Sequence, residues 1–334
     1  MKFDVIIGNP PYQLDDGGGG TGDSASPLYN KFIDISKSLS PRYISMIIPS
    51  RWMNGGRGLN SFREEMLDDK RMKVIHDYEN SQEIFPSVGV NGGICYFLWD
   101  SKHDDKCRYT FHLKDGTIKE NERYLRSDIE GLNKVIRDYE EYPIIKKANK
   151  SSKKFDNIVS SANMYGFRTN LFNNAESYKG VKLQENKGPN SCLVYGIENT
   201  RRAKKYINRS AINKNKADID KYKIFFPAVF GTETTLLPEI ITAEPGEIST
   251  GSFIQIGSFD NKDTMLNCIS YMETKFFRFL FNSNKYSYGM SKRTFSLIPL
   301  VDFSKPWTDA ELYAKYNLTE EEIAYIEDNI DPMD

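Results

Sequence analysis

Histidine and cysteine are scarce, three and four residues in a chain of 334. The cysteines (Cys95, Cys107, Cys192, Cys268) stand far apart with no C-x-x-C pair, a pattern that offers neither a zinc site nor a disulfide framework. Free thiols in a reducing compartment and no metal site are the expectation. No apolar run approaches the roughly 20 residues a membrane span needs. The N-terminus lacks the basic and apolar regions of a secretory signal, so a soluble, cytoplasmic chain with no membrane contact is expected. Charge of one sign is also missing. The formal net charge of −1 denies the whole molecule polycation character, so any nucleic-acid surface must come from local segregation of charge. No internal repeat is present.

What is there is globular: 39% apolar, 27% charged and, unusually, 13% aromatic residues, in a length that suits two domains. Phe3 to Ile7 is a β-branched run stopped by Gly8 and two prolines, which predicts a buried strand ending in a loop. Gln13 to Pro27 holds Gly17 to Gly20 and Gly22 and is expected to be a mobile loop or solvated linker beside that strand end. Leu28, Phe32, Ile35 and Leu39 recur at helical spacing and predict a helix buried on that stripe. Strands follow at Tyr43 to Ile48, Met72 to Tyr78 and Gly93 to Trp99, with a helix at Ser61 to Lys70. That order predicts a largely parallel α/β sheet finished by an antiparallel hairpin. A polar stretch over 116–150, with helical signals near Arg123 to Val135, reads as a helical connector between a domain of residues 1–115 and one of 151–334. Lys179 to Phe259 reads as β-rich and Met265 to Phe281 as one amphipathic helix. Nine acidic residues between Asp309 and Asp334 against Lys315 alone suggest a solvated acidic helix at the end of the chain.

The strand-end tetrad Asn9-Pro10-Pro11-Tyr12 carries the chemistry. An exocyclic amine on adenine is a poor nucleophile because its lone pair is delocalised into the ring. Acceptors aimed at its two hydrogens restore nucleophilic character. The Asn9 amide oxygen and the Pro10 carbonyl, with Pro11 stiffening the turn, could supply them. Tyr12 offers a flat ring for stacking a base. By residue type alone the tetrad could equally be a tight turn.

Phe3-Asp4-Val5-Ile6-Ile7-Gly8-Asn9-Pro10-Pro11-Tyr12 closely resembles the catalytic motif of S-adenosylmethionine-dependent amino-methyltransferases, above all the adenine-specific DNA enzymes of type II restriction-modification systems. Further segments agree in order: Leu28 to Phe32, Ile47 to Trp52, Glu83 to Val88, and Gly93 to Phe97. The resemblance implies an α/β fold, the second half of a Rossmann-like methyltransferase sheet followed by a mixed, β-rich target-recognition domain over 151–334. It implies Asn9, Pro10 and Tyr12 as catalytic residues, with Pro11 and Phe85 against a flipped adenine. A core anchor under the hairpin is the alternative role for Phe85. Pro49, Trp52 and Asp4 match the pattern as packing or orienting residues.

The same family holds its cofactor on a strand ending in F-x-G-x-G with an acidic residue beyond it. Neither Phe230 to Thr235 nor Gly246 to Gly251 has that spacing. The chain therefore resembles the C-terminal portion of a larger enzyme, and is expected to need missing N-terminal sequence or a partner chain for S-adenosylmethionine. Phe3 to Ile7 would then be an unpaired edge prone to oligomerisation.

Between Arg201 and Lys223, nine basic residues face only Asp218 and Asp220. Arg201, Arg202, Lys204, Lys205 and Arg209 are the candidate contacts to duplex DNA, against the alternative of a solvated face. Three functions stay open: site-specific adenine methylation in a restriction-modification system, a non-catalytic DNA-binding specificity subunit, and methylation of protein or RNA through the shared motif.

Overall fold

The computed structural model describes residues 3–13, 26–56, 58–231, 234–285 and 288–333. Most of the glycine-rich segment expected to be a mobile loop lies outside the described residues. The chain divides into two compact units, Met1–Tyr142 and Pro143–Asp334.

The first unit is a six-stranded sheet with helices α1 (Tyr29–Ser38) and α2 (Asn60–Asp68). Its strands are β1 (Val5–Gly8), β2 (Tyr43–Pro49), β3 (Met72–Tyr78), β4 (Ile94–Asp100), β5 (Cys107–His112) and β6 (Ile118–Arg123), in the order β1-β2-β4-β3-β5-β6. β1, β2, β3 and β5 all run in one direction, as a parallel sheet would require. The sheet is nevertheless mixed, which corrects the largely parallel expectation. β4 returns from β3 and inserts between β2 and β3, antiparallel to both, so parallel pairing survives only at β1·β2 and β3·β5.

The core lies where Ile44, Met46 and Ile48 of β2 and Phe97 and Trp99 of β4 meet Tyr29 and Ile33 of α1 and Phe62, Met66 and Leu67 of α2. α1 is therefore rotated from the predicted stripe. Tyr29, Ile33 and Ser36 turn inward, while Phe32, Ile35 and Leu39 are exposed. β1 is an edge strand whose Val5 and Ile7 face solvent; Ile7 is 79% exposed.

The helical connector over 116–150 is also corrected. Residues 118–123 are β6, paired antiparallel with β5 through a full six-residue register, and 124–140 is irregular. The alternation in Ile118–Arg123 is almost wholly polar because β6 is a solvated edge, so an apolar pattern could not reveal it. Helix appears only at α3 (Glu141–Asn149).

The second unit carries two three-stranded sheets. One joins β7 (Ser191–Glu198), β8 (Arg201–Asn208) and β11 (Glu247–Ser249); the other joins β9 (Tyr222–Pro227), β10 (Ile241–Ala243) and β12 (Phe253–Phe259). The single helix expected from Met265 to Phe281 is two, α4 (Lys262–Glu273) and α5 (Lys275–Ser283). They break at Thr274, which has extended backbone and caps α5 by accepting from the Phe277 amide. The acidic tail forms α6 (Asp309–Lys315) and α7 (Glu320–Asn329), each opened by a capping box, Thr308 with Glu311 and Thr319 with Glu322. These helices are not merely solvated, since Leu312, Tyr313 and Ile326 are buried. Among the described residues no helix is long and apolar enough to cross a membrane.

Candidate adenine-binding site

β1 ends where two prolines forbid further ladder hydrogen bonds, so the chain leaves the sheet at Asn9. The register Gly8↔Met46 puts the tetrad at the carboxyl edge of the co-directional strands, beside the end of β2 at Pro49. Ligands of open α/β sheets gather at such an edge. Asn9 is exposed and Pro10 buried. Among the described residues neither the Asn9 side chain nor the Pro10 carbonyl is engaged in a hydrogen bond. Two acceptors thus stand unspent at one strand end.

Tyr12 is half-buried against the core, and its carbonyl accepts from the Leu28 amide at 3.1 Å, leading the chain toward α1. Its hydroxyl is buried with no partner among the described residues, as is that of Tyr29. Burial, then the neighbouring Cys95, pushes the Tyr12 phenol up. Burial pushes the Cys95 thiol itself up to about 12, so it is an inert core group and no nucleophile at neutral pH.

Tyr12 and Tyr29 open on a cavity of about 520 Å³ shared with Pro49, Arg51, Val88 and Asn91. Arg51 is the one charged side chain among its described lining residues. Asn9, Pro10 and Phe85 are not among those lining residues. Phe85 is half-buried on the loop between β3 and β4, its amide donating to the Ser81 carbonyl at 2.9 Å, and that same loop supplies Val88 to Asn91.

A buried carboxylate holds the cavity's walls. Asp77 on β3 is wholly buried and accepts from Ser50 Oγ at 2.5 Å and Tyr109 OH at 2.6 Å. Arg137 donates to it through Nε at 2.5 Å and Nη2 at 2.8 Å, and through Nη1 to the Gly92 carbonyl at 3.1 Å. Burial alone would depress the Arg137 guanidinium, but the Asp77 carboxylate reverses this and holds it above its ordinary value. The Ser50 amide donates to the Gly93 carbonyl at 3.1 Å, joining the end of β2 to the loop. Gly92 and Gly93 take φ of +88° and +87°, and a Cβ at Gly93 would stand 2.2 Å from the Tyr78 carbonyl. Sequence reasoning missed Asp77 and Arg137. Their 60-residue separation leaves no local pattern; the paired Gly92-Gly93 was the available clue to a special turn.

In the second unit the five basic candidates fall on or just after β8. Arg201, Arg202 and Lys204 are exposed. Arg202 pairs with Glu239 at 2.7 Å, Lys205 bridges Glu198 at 2.8 Å and Glu185 at 3.0 Å, and Arg209 pairs with Asp220. Lys204 lies 4.8 Å over the Tyr195 ring. Lys223, counted in the same basic run, is buried. Its amine donates to the Ile219 and Glu247 carbonyls, and burial lowers its pKa to about 8. The segment is therefore less basic in effect than its composition.

S-adenosylmethionine is not accommodated by these residues. The described lining of the cavity has no carboxylate for ribose hydroxyls, and among the described residues of the first unit no strand runs into a glycine-rich loop of the spacing that cradles the cofactor.

Residues 1–85 match the family described as the Eco57I restriction-modification methylase. An uncharacterized adenine-specific methylase of Mycoplasma pneumoniae (strain ATCC 29342 / M129 / Subtype 1) is 40% identical over 107 residues, 32% of this chain and 25% of that protein. The match thus spans about a quarter of the length of that relative. Among solved structures, the type IIL restriction-modification enzyme MmeI in complex with DNA overlaps 87% of this chain and 45% of its own at 11% identity and a TM-score of 0.46. The type IIG restriction endonuclease BpuSI overlaps 95% and 49% at 10% identity and a TM-score of 0.36. Overlaps this loose decide nothing about the fold. It is through the segment carrying Asn9 to Tyr12 that this chain is similar to the restriction-modification methylases of the Eco57I family.

Proposed function

We propose that this chain carries the adenine-holding part of a DNA adenine methyltransferase of a restriction-modification system. The observation that carries the reading is the pair of unspent acceptors, Asn9 Oδ1 and the Pro10 carbonyl, at the carboxyl edge of β1 beside the Tyr12 cavity. An adenine amine donating both hydrogens there would have its lone pair turned out of the ring, and the same oxygens would stabilise the positive charge growing on nitrogen during methyl transfer. Pro11 stiffens the turn, and Tyr12 with Phe85 would clamp the flipped base.

S-adenosylmethionine is the donor this family similarity implies. With no matching donor set in the described residues, its binding falls in this reading to further sequence or a partner chain. The free edge of β1 and the exposed Val5, Ile7, Phe32 and Ile35 support docking there. The sheet of the first unit is then read as the second half of a Rossmann-like sheet, and the second unit as the target-recognition part, bound to duplex DNA through Arg201, Arg202, Lys204, Lys205 and Arg209.

The test is methyl transfer from labelled S-adenosylmethionine to unmethylated duplex by this chain together with the donor-binding half. Asn9→Ala should abolish transfer and spare duplex binding; transfer that survives the substitution sinks the assignment. Micromolar binding of S-adenosylmethionine to this chain alone, by calorimetry, would remove the need for a second half. Duplex binding without transfer in any mixture would favour the specificity-subunit reading, which the missing donor set supports.

A further inference from the structure

The cavity beside Tyr12 has a one-sided electrostatic character. Its described walls are tyrosine rings, prolines, aliphatic side chains and amides, and the single charge among them is Arg51. Among the described residues no carboxylate pairs with that guanidinium, although fourteen other arginines and lysines do form ion pairs within 3.0 Å, Lys37 with Asp69 and Arg137 with Asp77 among them. A cation with no carboxylate partner among the described residues, at the rim of an aromatic, amide-lined recess, favours a flat ligand with one negative charge.

Arg51 is held in place from behind. It follows Ser50, whose hydroxyl is bound to buried Asp77 and whose amide is bound to the Gly93 carbonyl. Its Cα packs 4.0 Å from where a Gly92 Cβ would stand, and its own carbonyl accepts from the Gly55 amide at 3.0 Å. The backbone at Arg51 is therefore anchored while the side chain is exposed and free to meet a ligand. A guanidinium on a rigid base suits a phosphate, which it can grip with two parallel N–H donors.

We propose that Arg51 receives the phosphate of the nucleotide whose base enters the Tyr12 cavity. This rests on the reading of that cavity as the adenine site. It adds a binding residue that fixes the nucleotide by its backbone, so that the amine reaches Asn9 in register. The contact carries no sequence information itself; it positions.

The experiment compares 2′-deoxyadenosine 5′-monophosphate with 2′-deoxyadenosine, titrated by NMR into the full chain and into Arg51→Gln, Arg51→Lys and Asn9→Ala. The wild type should prefer the monophosphate by about tenfold, the worth of one charge-assisted contact. Arg51→Gln should lose that preference while keeping its affinity for the nucleoside, Arg51→Lys should keep part of it, and Asn9→Ala should weaken both ligands alike. Equal affinities in the wild type, binding of neither ligand, or a preference that survives Arg51→Gln would each overturn the proposal. So would competition showing that Arg51→Gln weakens S-adenosylmethionine but not the monophosphate, because the anion would then be the methionine carboxylate. The two readings fail distinguishably: methyl transfer lost in Asn9→Ala with no effect of Arg51 on phosphate overturns the Arg51 assignment and leaves the adenine site standing, whereas transfer that survives Asn9→Ala removes the adenine reading and the Arg51 assignment with it.

Discussion

Arg137 and Asp77, 60 residues apart, form a two-pronged ion pair in the interior of the sheet, with 2.5 and 2.8 Å between donors and acceptors. Removing the cation leaves a buried carboxylate whose remaining hydrogen-bond partners among the described residues are Ser50 and Tyr109. Arg137→Met is expected to destabilise the first unit by about 3–5 kcal/mol. Asp77→Asn added to it should recover part of that loss. Urea unfolding midpoints measure both. Hydrogen exchange over 85–93 should also rise in Arg137→Met, because the Gly92 carbonyl loses its donor; unchanged exchange there would show that the pair does not hold the loop.

Two glycines with the same φ of +87° separate backbone strain from steric clash. At Gly116 a Cβ would meet nothing within 4 Å, whereas at Gly93 it would meet the Tyr78 carbonyl at 2.2 Å. Gly116→Ala should cost about 1–2 kcal/mol from left-handed backbone alone. Gly93→Ala should cost about 3 kcal/mol or more, since backbone must move. Equal melting temperatures in the two variants would contradict the close approach.

Acid should weaken the first unit through Asp69. Burial opposes ionisation of this carboxyl, but hydrogen bonds from Arg71 Nε at 2.6 Å, Lys37 Nζ at 2.8 Å and Trp99 Nε1 at 2.9 Å win and lower its pKa to about 2. The unfolded value is about 3.9. A folded pKa below the unfolded one means stability that is complete above about pH 4 and is lost as pH falls toward about 2. Asp69→Asn should be less stable at neutral pH and show a flatter decline between pH 4 and 2 in denaturant titrations.

The basic face of β8 should divide by ion pairing. Arg201→Gln and Lys204→Gln, exposed and without a carboxylate partner among the described residues, should each lower the slope of log affinity against log salt for duplex DNA by about one. Arg209→Gln removes a charge already neutralised by Asp220 and should change the slope less. Equal slopes in all three variants and the wild type would place the DNA elsewhere.

Much of the first unit is legible without coordinates. β1 to β4 are short apolar runs bounded by glycine, proline or charge, and each appears within a residue or two of its expected place. The tetrad is legible because two consecutive prolines force the chain out of the sheet where Asn9 stands. Other elements were hidden for identifiable reasons. β6 carries almost no apolar residue, since one side of it is solvent. The helical stripe Phe32, Ile35, Leu39 has the right period but lies outward, because Tyr29 and Ile33 fill the space against β2. Periodicity reports that a helix has an apolar side, and cannot say which of two such sides faces the core.

From the sequence by itself came the strand-end tetrad, the family similarity it carries and the first four strands of the sheet, because these depend on local spacing and on backbone-restricting residues. Tertiary structure alone decided that β4 divides the parallel strands, that Arg51 is the one charge among the described residues lining the cavity, and that Asp77 with Arg137 braces its walls. Each of those depends on side chains brought together from distant positions, and the energetics of burial and charge pairing take effect only once the chain has closed around them.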